Sequence, residues 1–332
     1  MPVYLGVDGG GTKTAFVLLD DAGHRLGGVE GPSSYHLEHG FAHVEKVLTD
    51  GVAAATAAAG VDAQDIDYAF FAIPAYGEAS AEIPVLDALP ARALGHERYR
   101  CGNDMVAGWA GSLAYSDGIN LIAGTGSMTY GERAGASTRV GGWGELFGDE
   151  GSGYWIGLEA LFAFARMSDG RMPRSSLYER IRSATDVEAD LDVIDVVLTK
   201  WEKSRGRIAT LSPIVVEAAR AGDAAADDIV ERAVAHLVEL VEATRRNLGF
   251  GAGEAVPVSY SGGVFKADTV LTRFARALAA RDAGYELRQP RFPSDIGAAL
   301  YAAKLAGRPL AADALDRLAE TAWRPAEGRA AQ

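Results

Sequence analysis

Residues 3–20 read VYLGVDGGGTKTAFVLLD, in which a glycine-rich turn separates two apolar runs. The run Val3–Asp8 predicts a strand, and the Thr, Phe and Val residues of Thr14–Asp20 favour strand geometry as well. Glycines permit positive φ and a close approach of ligands to the main chain, and successive N–H groups in such a turn form an anion-binding nest. We therefore expect a phosphate-binding hairpin with nucleotide contacts at Asp8, Gly9, Gly10, Gly11, Thr12 and Lys13, and with Asp8 also holding Mg²⁺ through water.

Two well-known phosphate loops do not fit these residues. A Rossmann fingerprint needs a helix directly after its glycines, whereas Thr14–Asp20 predicts a strand. A Walker A loop needs lysine directly after glycine, but Thr12 separates Gly11 from Lys13. A plain hairpin turn remains the alternative.

A similar pattern of strand, Gly/Thr turn and strand returns in the second third of the chain. Gly118–Ala123 is an apolar run, and Met128–Glu132 predicts the returning strand. Such a repeat indicates an internal duplication. Paired with the first hairpin, the second turn predicts a clamp in which each half of the chain contributes one hairpin and the nucleotide lies between them. Its nucleotide contacts are expected at Gly124, Thr125 and Gly126.

The organisation of the chain predicts an α/β protein of two domains. The length of 332 residues suits two domains. We place the first domain at residues 1–113 and the second, with a helical insertion, at residues 114–332, with the last helix as a candidate to pack back on the first domain. Phe41–Ala59 and Asp190–Lys203 are among the predicted helices.

An acidic residue, Asp104, stands where a short strand passes into a helix, in Gly102-Asn103-Asp104. A hydroxyl is a poor nucleophile at neutral pH, so a carboxylate that accepts its proton would assist phosphoryl transfer. Asp104 is therefore a candidate general base. The alternative is that it only caps the helix N-terminus.

Two further glycine-rich segments suggest ligand contacts. In Gly141–Gly157, a loop dense in glycine carries Trp143, which can pack on a sugar face, and Asp149, which can accept hydrogen bonds from hydroxyls. The alternative is that Asp149 and Ser152 cap the next helix. Ser261-Gly262-Gly263 resembles an adenosine-binding turn, and a tight strand–helix turn is its alternative.

Composition excludes several classes of protein. The formal net charge is −13, and no Lys/Arg cluster offsets it, so we expect neither nucleic acid nor membranes as partners. The single cysteine, Cys101, precludes an intrachain disulfide, and no secretory signal is evident at the N-terminus. A cytoplasmic location is expected. The histidines at 36, 39 and 43 do not form a metal-binding pattern.

The motifs taken together resemble one protein family. Asp8–Thr12, Asn103-Asp104, Gly124–Ser127, Gly142–Ser152 and Ser261–Gly263 are similar to the N-acetylglucosamine kinase branch of the BadF/BadG/BcrA/BcrD ATPase family, within the actin/hexokinase-like superfamily. The resemblance covers residues 3 to about 304. It implies two ribonuclease-H-like domains with an interdomain cleft, ATP and Mg²⁺ as cofactors, a small sugar as substrate and a homodimer. It also implies nucleotide contacts at Thr12, Thr125, Gly126, Gly262, Gly263 and Ala267, Asp104 as the base, and sugar contacts at Ser34, His36, Asp104, Ser127, Met128, Gly142, Trp143, Gly144 and Asp149.

One position departs from the family pattern and leaves the substrate open. Ser34 stands where the family usually has an asparagine that holds a sugar hydroxyl, and serine has a shorter reach with one donor. N-acetylglucosamine phosphorylated at O6, glucosamine, another amino sugar and a neutral hexose all remain candidates. A non-catalytic nucleotide- or sugar-binding sensor on the same fold is the alternative from another class.

Overall fold

The protein is described by a computed structural model that covers residues 1–281 and 284–323. Its strands are β1 (Val3–Gly9), β2 (Lys13–Asp20), β3 (Arg25–Pro32), β4 (Tyr68–Ile73), β5 (Tyr99–Asn103), β6 (Gly118–Ala123), β7 (Ser127–Arg133), β8 (Ala136–Gly141), β9 (Val256–Ser261) and β10 (Tyr285–Arg288). Its α-helices are α1 (His36–His39), α2 (Phe41–Ala59), α3 (Ile83–Leu94), α4 (Asp104–Leu113), α5 (Gly153–Ser168), α6 (Ser176–Thr185), α7 (Val193–Asp195), α8 (Arg205–Ala209), α9 (Ser212–Arg220), α10 (Ala224–Asn247), α11 (Asp268–Ala279), α12 (Ser294–Leu305) and α13 (Ala312–Ala319).

The first sheet has the strand order β3-β2-β1-β4-β5. β1, β2 and β3 pair antiparallel, whereas β4 runs parallel to β1 and β5 runs parallel to β4. Side chains alternate across β1: Val3, Leu5 and Val7 join the core that includes residues of α2, while a Cβ at Gly6 would touch Ala299 of α12. By the same alternation, Asp8 lies on the α12 face.

The second sheet repeats this arrangement. Its order is β10-β9-β6-β7-β8, with β6, β7 and β8 antiparallel and with β9 and β10 parallel to β6 and β9. Its core includes β6, β9 and the helices α5, α9 and α10. The structure therefore confirms the internal duplication, and the mixed α/β fold of two five-stranded sheets agrees with the predicted fold class.

The chain divides into two compact units, and each is described by itself. The first is Met1–Asp117 together with the segment from Gln289 onward, and the second is Gly118–Arg288. The second domain predicted at 114–332 differs from this division at both ends. The physical reason at the C-terminal end is α12, which packs on β1, β4 and α4 and buries Ile296, Ala299 and Leu300 in the first unit.

The predicted single helix Asp190–Lys203 is wrong. Residues 190–192 form a 3₁₀ turn, α7 follows, and Val196–Lys200 form a π-helical turn. β-branched residues such as Val193, Ile194, Val196 and Val197 weaken helix propensity, which favours an irregular segment here. In the part of the chain that the structure describes, no helix combines the length and apolar character that a membrane span requires.

Candidate functional site

The carboxyl ends of β1, β4 and β5 bring two acidic residues to one edge of the first sheet. Asp8 is in register with Ala72 of β4, and Ala72 is in register with Gly102 of β5. Asp104 follows two residues after Gly102, at the start of α4. Ligands of α/β sheets bind at the carboxyl ends of parallel strands. The predicted base and the predicted phosphate hairpin therefore occupy the same sheet edge.

Asp8 has a raised pKa, and its carboxylate is hydrogen-bonded by a residue that is distant in the sequence. Its Oδ2 accepts a hydrogen bond from the hydroxyl of Ser294, the first residue of α12. Burial raises the pKa of Asp8 to about 7, the hydrogen bond from Ser294 opposes that rise, and the negative charges of Asp104 and Asp295 add to it. The charge of Asp104 acts on Asp8 because both carboxylates lie at the same edge of the sheet.

Asn103, rather than Asp104, caps α4. The Asn103 side chain accepts a hydrogen bond from the backbone N–H of Met105 at 3.2 Å and donates from Nδ2 to the carbonyl of Tyr76 at 3.1 Å. This geometry is that of an N-cap. The alternative reading of Asp104 as the cap is therefore wrong, and Asp104 occupies the first helical turn beside Asp8.

The glycine-rich turn after β1 is a tight hairpin with an exposed tip. The backbone N–H of Gly10 donates to the carbonyl of Lys13 at 2.9 Å, and Ser33 Oγ donates to the carbonyl of Gly10 at 2.9 Å. Gly11 and Thr12 are exposed. The Lys13 ammonium pairs with Glu30 across β2 and β3 at 2.5 Å.

Ser34 and His36 are buried next to this hairpin. A Cβ at Gly9 would lie 2.3 Å from Ser34 Oγ, so Ser34 packs directly against the turn. The Ser34 hydroxyl and the Nδ1 atom of His36 are buried without a hydrogen-bond partner in the described residues. His36 Nε2 hydrogen-bonds Glu82 Oε2 at 2.9 Å. Buried polar atoms that lack partners in the protein are suited to bind a polar ligand.

The second glycine-rich turn, Gly124–Gly126, is fixed by backbone contacts within the second unit. Gly124 N donates to Gly126 O at 2.9 Å, and the amides of Gly153 and Tyr154 donate to Gly124 O at 2.8 Å and to Thr125 O at 3.3 Å. The last two contacts tie the turn to the N-terminus of α5. Thr125 is exposed at the tip, as Thr12 is in the first hairpin.

Asp149 lies directly beneath this turn. It is only 3% exposed, and its Oδ1 accepts from the backbone N–H of Ser127 at 3.2 Å. Its Oδ2 pairs with the Arg205 guanidinium at 2.5 Å. Ser152, not Asp149, caps α5, since its Oγ accepts from Trp155 N at 3.1 Å. The capping prediction is therefore confirmed for Ser152 and wrong for Asp149.

The remaining predicted residues of the second unit divide between the turn and its surroundings. Gly142 N donates to Ser127 O at 2.9 Å, and a Cβ at Gly142 would lie 2.5 Å from Met128 Cε. Gly262, with φ of 100°, packs against the carbonyl of Ala123, so it lies beside the Gly124 turn. Three other predicted residues lie outside these contacts: Trp143 and Gly144 on an exposed loop, and Ala267, which precedes α11 and packs on the core. Gly263 is exposed and opens a 3₁₀ turn next to Gly262, in which Val264 and Phe265 are buried.

Ser294, Glu82 and Arg205 contact predicted site residues but were not themselves predicted. They bind Asp8, His36 and Asp149, from which they are separated by 286, 46 and 56 residues respectively. No local motif surrounds them. Only the fold brings them to the site.

Known proteins are similar to this chain in sequence or in structure. An N-acetyl-D-glucosamine kinase of Dictyostelium discoideum is 28% identical over 289 residues, which cover 81% of this chain and 88% of the relative. An N-acetylmuramic acid/N-acetylglucosamine kinase of Clostridium acetobutylicum is 28% identical over 267 residues, 80% and 86% of the two chains. A solved structure of a candidate N-acetylglucosamine kinase from Chromobacterium violaceum matches with a TM-score of 0.68 and 26% identity, covering 90% of this chain and 98% of that one.

The model of one family, described as the BadF/BadG/BcrA/BcrD ATPase family, matches residues 5–302. The match includes residues of both sheets, both glycine-rich turns and Ser294. The chain therefore belongs to the BadF/BadG/BcrA/BcrD ATPase family.

Proposed function

We propose that this protein is an ATP-dependent sugar kinase that phosphorylates N-acetylglucosamine or a related amino sugar. The observation that carries the proposal is the placement of Asp104 beside Asp8 at the carboxyl edge of the first sheet, next to a glycine-rich hairpin. The topologically equivalent hairpin of the second sheet, the family match and the names of the two curated relatives support it.

The nucleotide is proposed to contact both glycine-rich turns. The backbone N–H groups of the exposed tip residues Gly11, Thr12 and Thr125, together with the hydroxyls of Thr12 and Thr125, are suitable donors to phosphate oxygens. In the first unit the proposed contacts are Asp8, Gly9, Gly10, Gly11, Thr12 and Lys13. In the second they are Gly124, Thr125, Gly126, Gly262, Gly263 and Ala267.

The residues around Asp8 fit a magnesium ion. Mg²⁺ is held in nucleotide sites by one or two carboxylates and takes its other ligands from phosphates and water. Asp8 is a carboxylate whose charge is disfavoured by burial and by Asp104, so a cation beside it would relieve an unfavourable charge. Asp8, through water, is the proposed holder. The ion would supply charge neutralisation on the phosphates.

Asp104 is proposed as the general base. Its carboxylate accepts the proton of the acceptor hydroxyl while the oxygen of that hydroxyl forms a bond to the γ-phosphorus, and the bond from that phosphorus to the bridging oxygen of ADP breaks. The proton resides on Asp104, the phosphoryl group on the sugar and the electron pair on ADP. Because Asn103 performs the capping, Asp104 is not required as a cap.

The sugar is proposed to contact buried polar groups and the Asp149 segment. Ser34 and His36 offer unpartnered polar atoms beside the first hairpin. The other proposed sugar contacts are Ser127, Met128, Gly142, Trp143, Gly144 and Asp149, together with Asp104. The 6-hydroxyl is the proposed acceptor. The protein is proposed to act in the cytoplasm as a homodimer. Light scattering of the purified protein tests the oligomeric state.

A coupled ADP-release assay across a sugar panel tests the proposal. The panel contains N-acetylglucosamine, glucosamine, N-acetylmuramic acid, glucose and mannose, each with ATP and Mg²⁺. We expect sugar-dependent ADP release that is fastest with an amino sugar. ADP release at the same rate with and without every sugar would contradict the proposal and favour a nucleotide-binding sensor.

A further inference from the structure

The Arg205 side chain contacts Glu145 and Asp149 and lies next to Gly126. Its guanidinium pairs with Asp149 Oδ2 at 2.5 Å, and its Nε lies 3.3 Å from Glu145 Oε2. A Cβ added at Gly126 would lie 3.1 Å from the Arg205 guanidinium and 2.9 Å from Asp149 Oδ1. The Arg205–Asp149 ion pair therefore packs against the Gly124–Gly126 turn at Gly126.

Unlike the ion pairs on the surface of the protein, this pair contains a buried carboxylate. The Asp149 side chain is 3% exposed, whereas that of Arg205 is 40% exposed. A buried carboxylate is costly unless it is paired and hydrogen-bonded, and Arg205 supplies the positive charge that pairs it. Without Arg205, the remaining described partner of the Asp149 carboxylate is the Ser127 amide.

The backbone at Asp149 needs this support as well. Asp149 has a φ of 61°, in the left-handed region that non-glycine residues occupy at a cost. Such a conformation persists where the surrounding contacts fix it. Two contacts hold the Asp149 carboxylate: its Oδ1 accepts from the Ser127 amide, and its Oδ2 pairs with Arg205.

We infer that Arg205 is a positioning residue: it holds the Asp149 carboxylate against the Ser127 amide, so that the Gly124–Ser127 turn has its binding shape before a ligand arrives. That Asp149 then binds a sugar rests on the proposed function. Arg205 acts through Asp149 and does not itself contact the reacting groups.

Hydrogen exchange of the Ser127 amide in the ligand-free protein tests this inference directly. The Ser127 rate is compared with that of Gly131 in the same strand, since unfolding of the whole strand would change both rates. We expect Arg205→Met to raise the Ser127 rate relative to Gly131 by about 10-fold or more, the effect of losing a charge-assisted contact. A ratio equal to that of the wild type would overturn the inference.

Two further variants keep the test decisive. Arg205→Lys retains the charge without the planar fork, so a smaller rise is expected, and it takes the place of Arg205→Met if that variant does not fold. Glu145→Gln is the matched control, because it removes the more exposed partner of Arg205 and should leave the Ser127 rate unchanged. A Glu145→Gln effect as large as that of Arg205→Met would also overturn the inference.

Kinetics separate a positioning role from a general structural one. If Arg205 acts through Asp149, Arg205→Met raises the KM for the sugar by about 10-fold and leaves kcat within a few-fold, since the interaction lost is ground-state binding. In an Asp149→Asn background the same substitution should have little further effect. Equal effects in both backgrounds would contradict action through Asp149. If the wild type phosphorylates no sugar, the proposed function fails, while the exchange measurement still decides the role of Arg205.

Discussion

The hydroxyl of Ser294 donates a hydrogen bond to the carboxylate of Asp8, 286 residues earlier in the chain. Asp8 is the next-to-last residue of β1, and Ser294 begins α12, which follows the second unit in the chain. The first unit is therefore completed by the C-terminal segment. The charge state of Asp8 depends on this contact, since the Ser294 hydrogen bond lowers a pKa that burial raises.

Asp104→Asn is expected to retain nucleotide binding and to lower turnover by at least about 100-fold, the usual scale of lost general-base assistance. The amide is nearly the same size, and the helix keeps its Asn103 cap. Steady-state ADP release and calorimetric ATP titration measure the two quantities. Asp50→Asn, at an exposed i,i+4 pair with Lys46, is the control that should match the wild type. Near-normal turnover in Asp104→Asn would remove the assignment of the base.

Gly11→Ala and Gly124→Ala are expected to leave stability unchanged and to weaken ATP binding by about 10-fold or more, a loss of about 1.4 kcal/mol. A Cβ at either position meets no atom of the described residues within 4 Å, so the methyl group would not disturb the free protein but would crowd a phosphate bound at the turn. Thermal unfolding and ATP titration of the purified variants measure the two effects.

Gly262→Ala is the contrasting variant for that pair. Its φ of 100° and a clash at 2.3 Å with the Ala123 carbonyl predict a loss of about 2 kcal/mol in stability. Wild-type ATP affinity in both Gly11→Ala and Gly124→Ala would show that the turns do not hold the phosphates.

Ser34→Ala is expected to be neutral or slightly stabilising while raising the KM for the sugar. The hydroxyl is buried without a described partner, and removal of such a group does not break a hydrogen bond in the free protein. If the hydroxyl binds the sugar, the loss appears only in the complex, as an increase in KM of about 10-fold. An unchanged KM for every sugar of the panel would exclude Ser34 from the sugar site.

Asp190 is expected to contribute stability that depends on pH. Hydrogen bonds from Ser168 and Tyr178 lower its pKa, and the charges of Arg182 and Arg174 lower it further. Because the folded pKa lies below the unfolded one, the contribution is present above the unfolded pKa of about 3.9 and is lost as pH falls through the folded pKa. Asp190→Asn should therefore lower Tm at pH 7, and the difference from the wild type should shrink towards pH 3. A constant difference across this range would contradict the assignment.

Local patterns predicted the parts of the fold that local physics determines. The Ala-rich stretch Phe41–Ala59, closed by a left-handed Gly60, is a helix with the predicted bounds. The two glycine-rich hairpins follow strands as expected, and the apolar alternation of Val3, Leu5 and Val7 specifies which face of β1 is buried. These features depend on residues that are close in sequence.

The contacts that complete the site depend on the tertiary fold and were not predictable from one sequence. Ser294, Glu82 and Arg205 lie in ordinary helical or turn segments, and no spacing relates them to Asp8, His36 or Asp149. The difference in domain division has the same origin, because the burial of α12 against β1 follows from packing and not from a sequence boundary.

Phosphoryl transfer followed by ³¹P NMR tests the central claim most directly. Protein, Mg²⁺, ATP and N-acetylglucosamine are mixed, and the γ-phosphate signal of ATP is followed with time, with Asp104→Asn run in parallel. We predict that this signal is replaced by that of a sugar monophosphate in equal amount to ADP, and that Asp104→Asn shows almost none. Loss of the γ-phosphate only to inorganic phosphate, or no transfer to this or any amino sugar, would contradict the account.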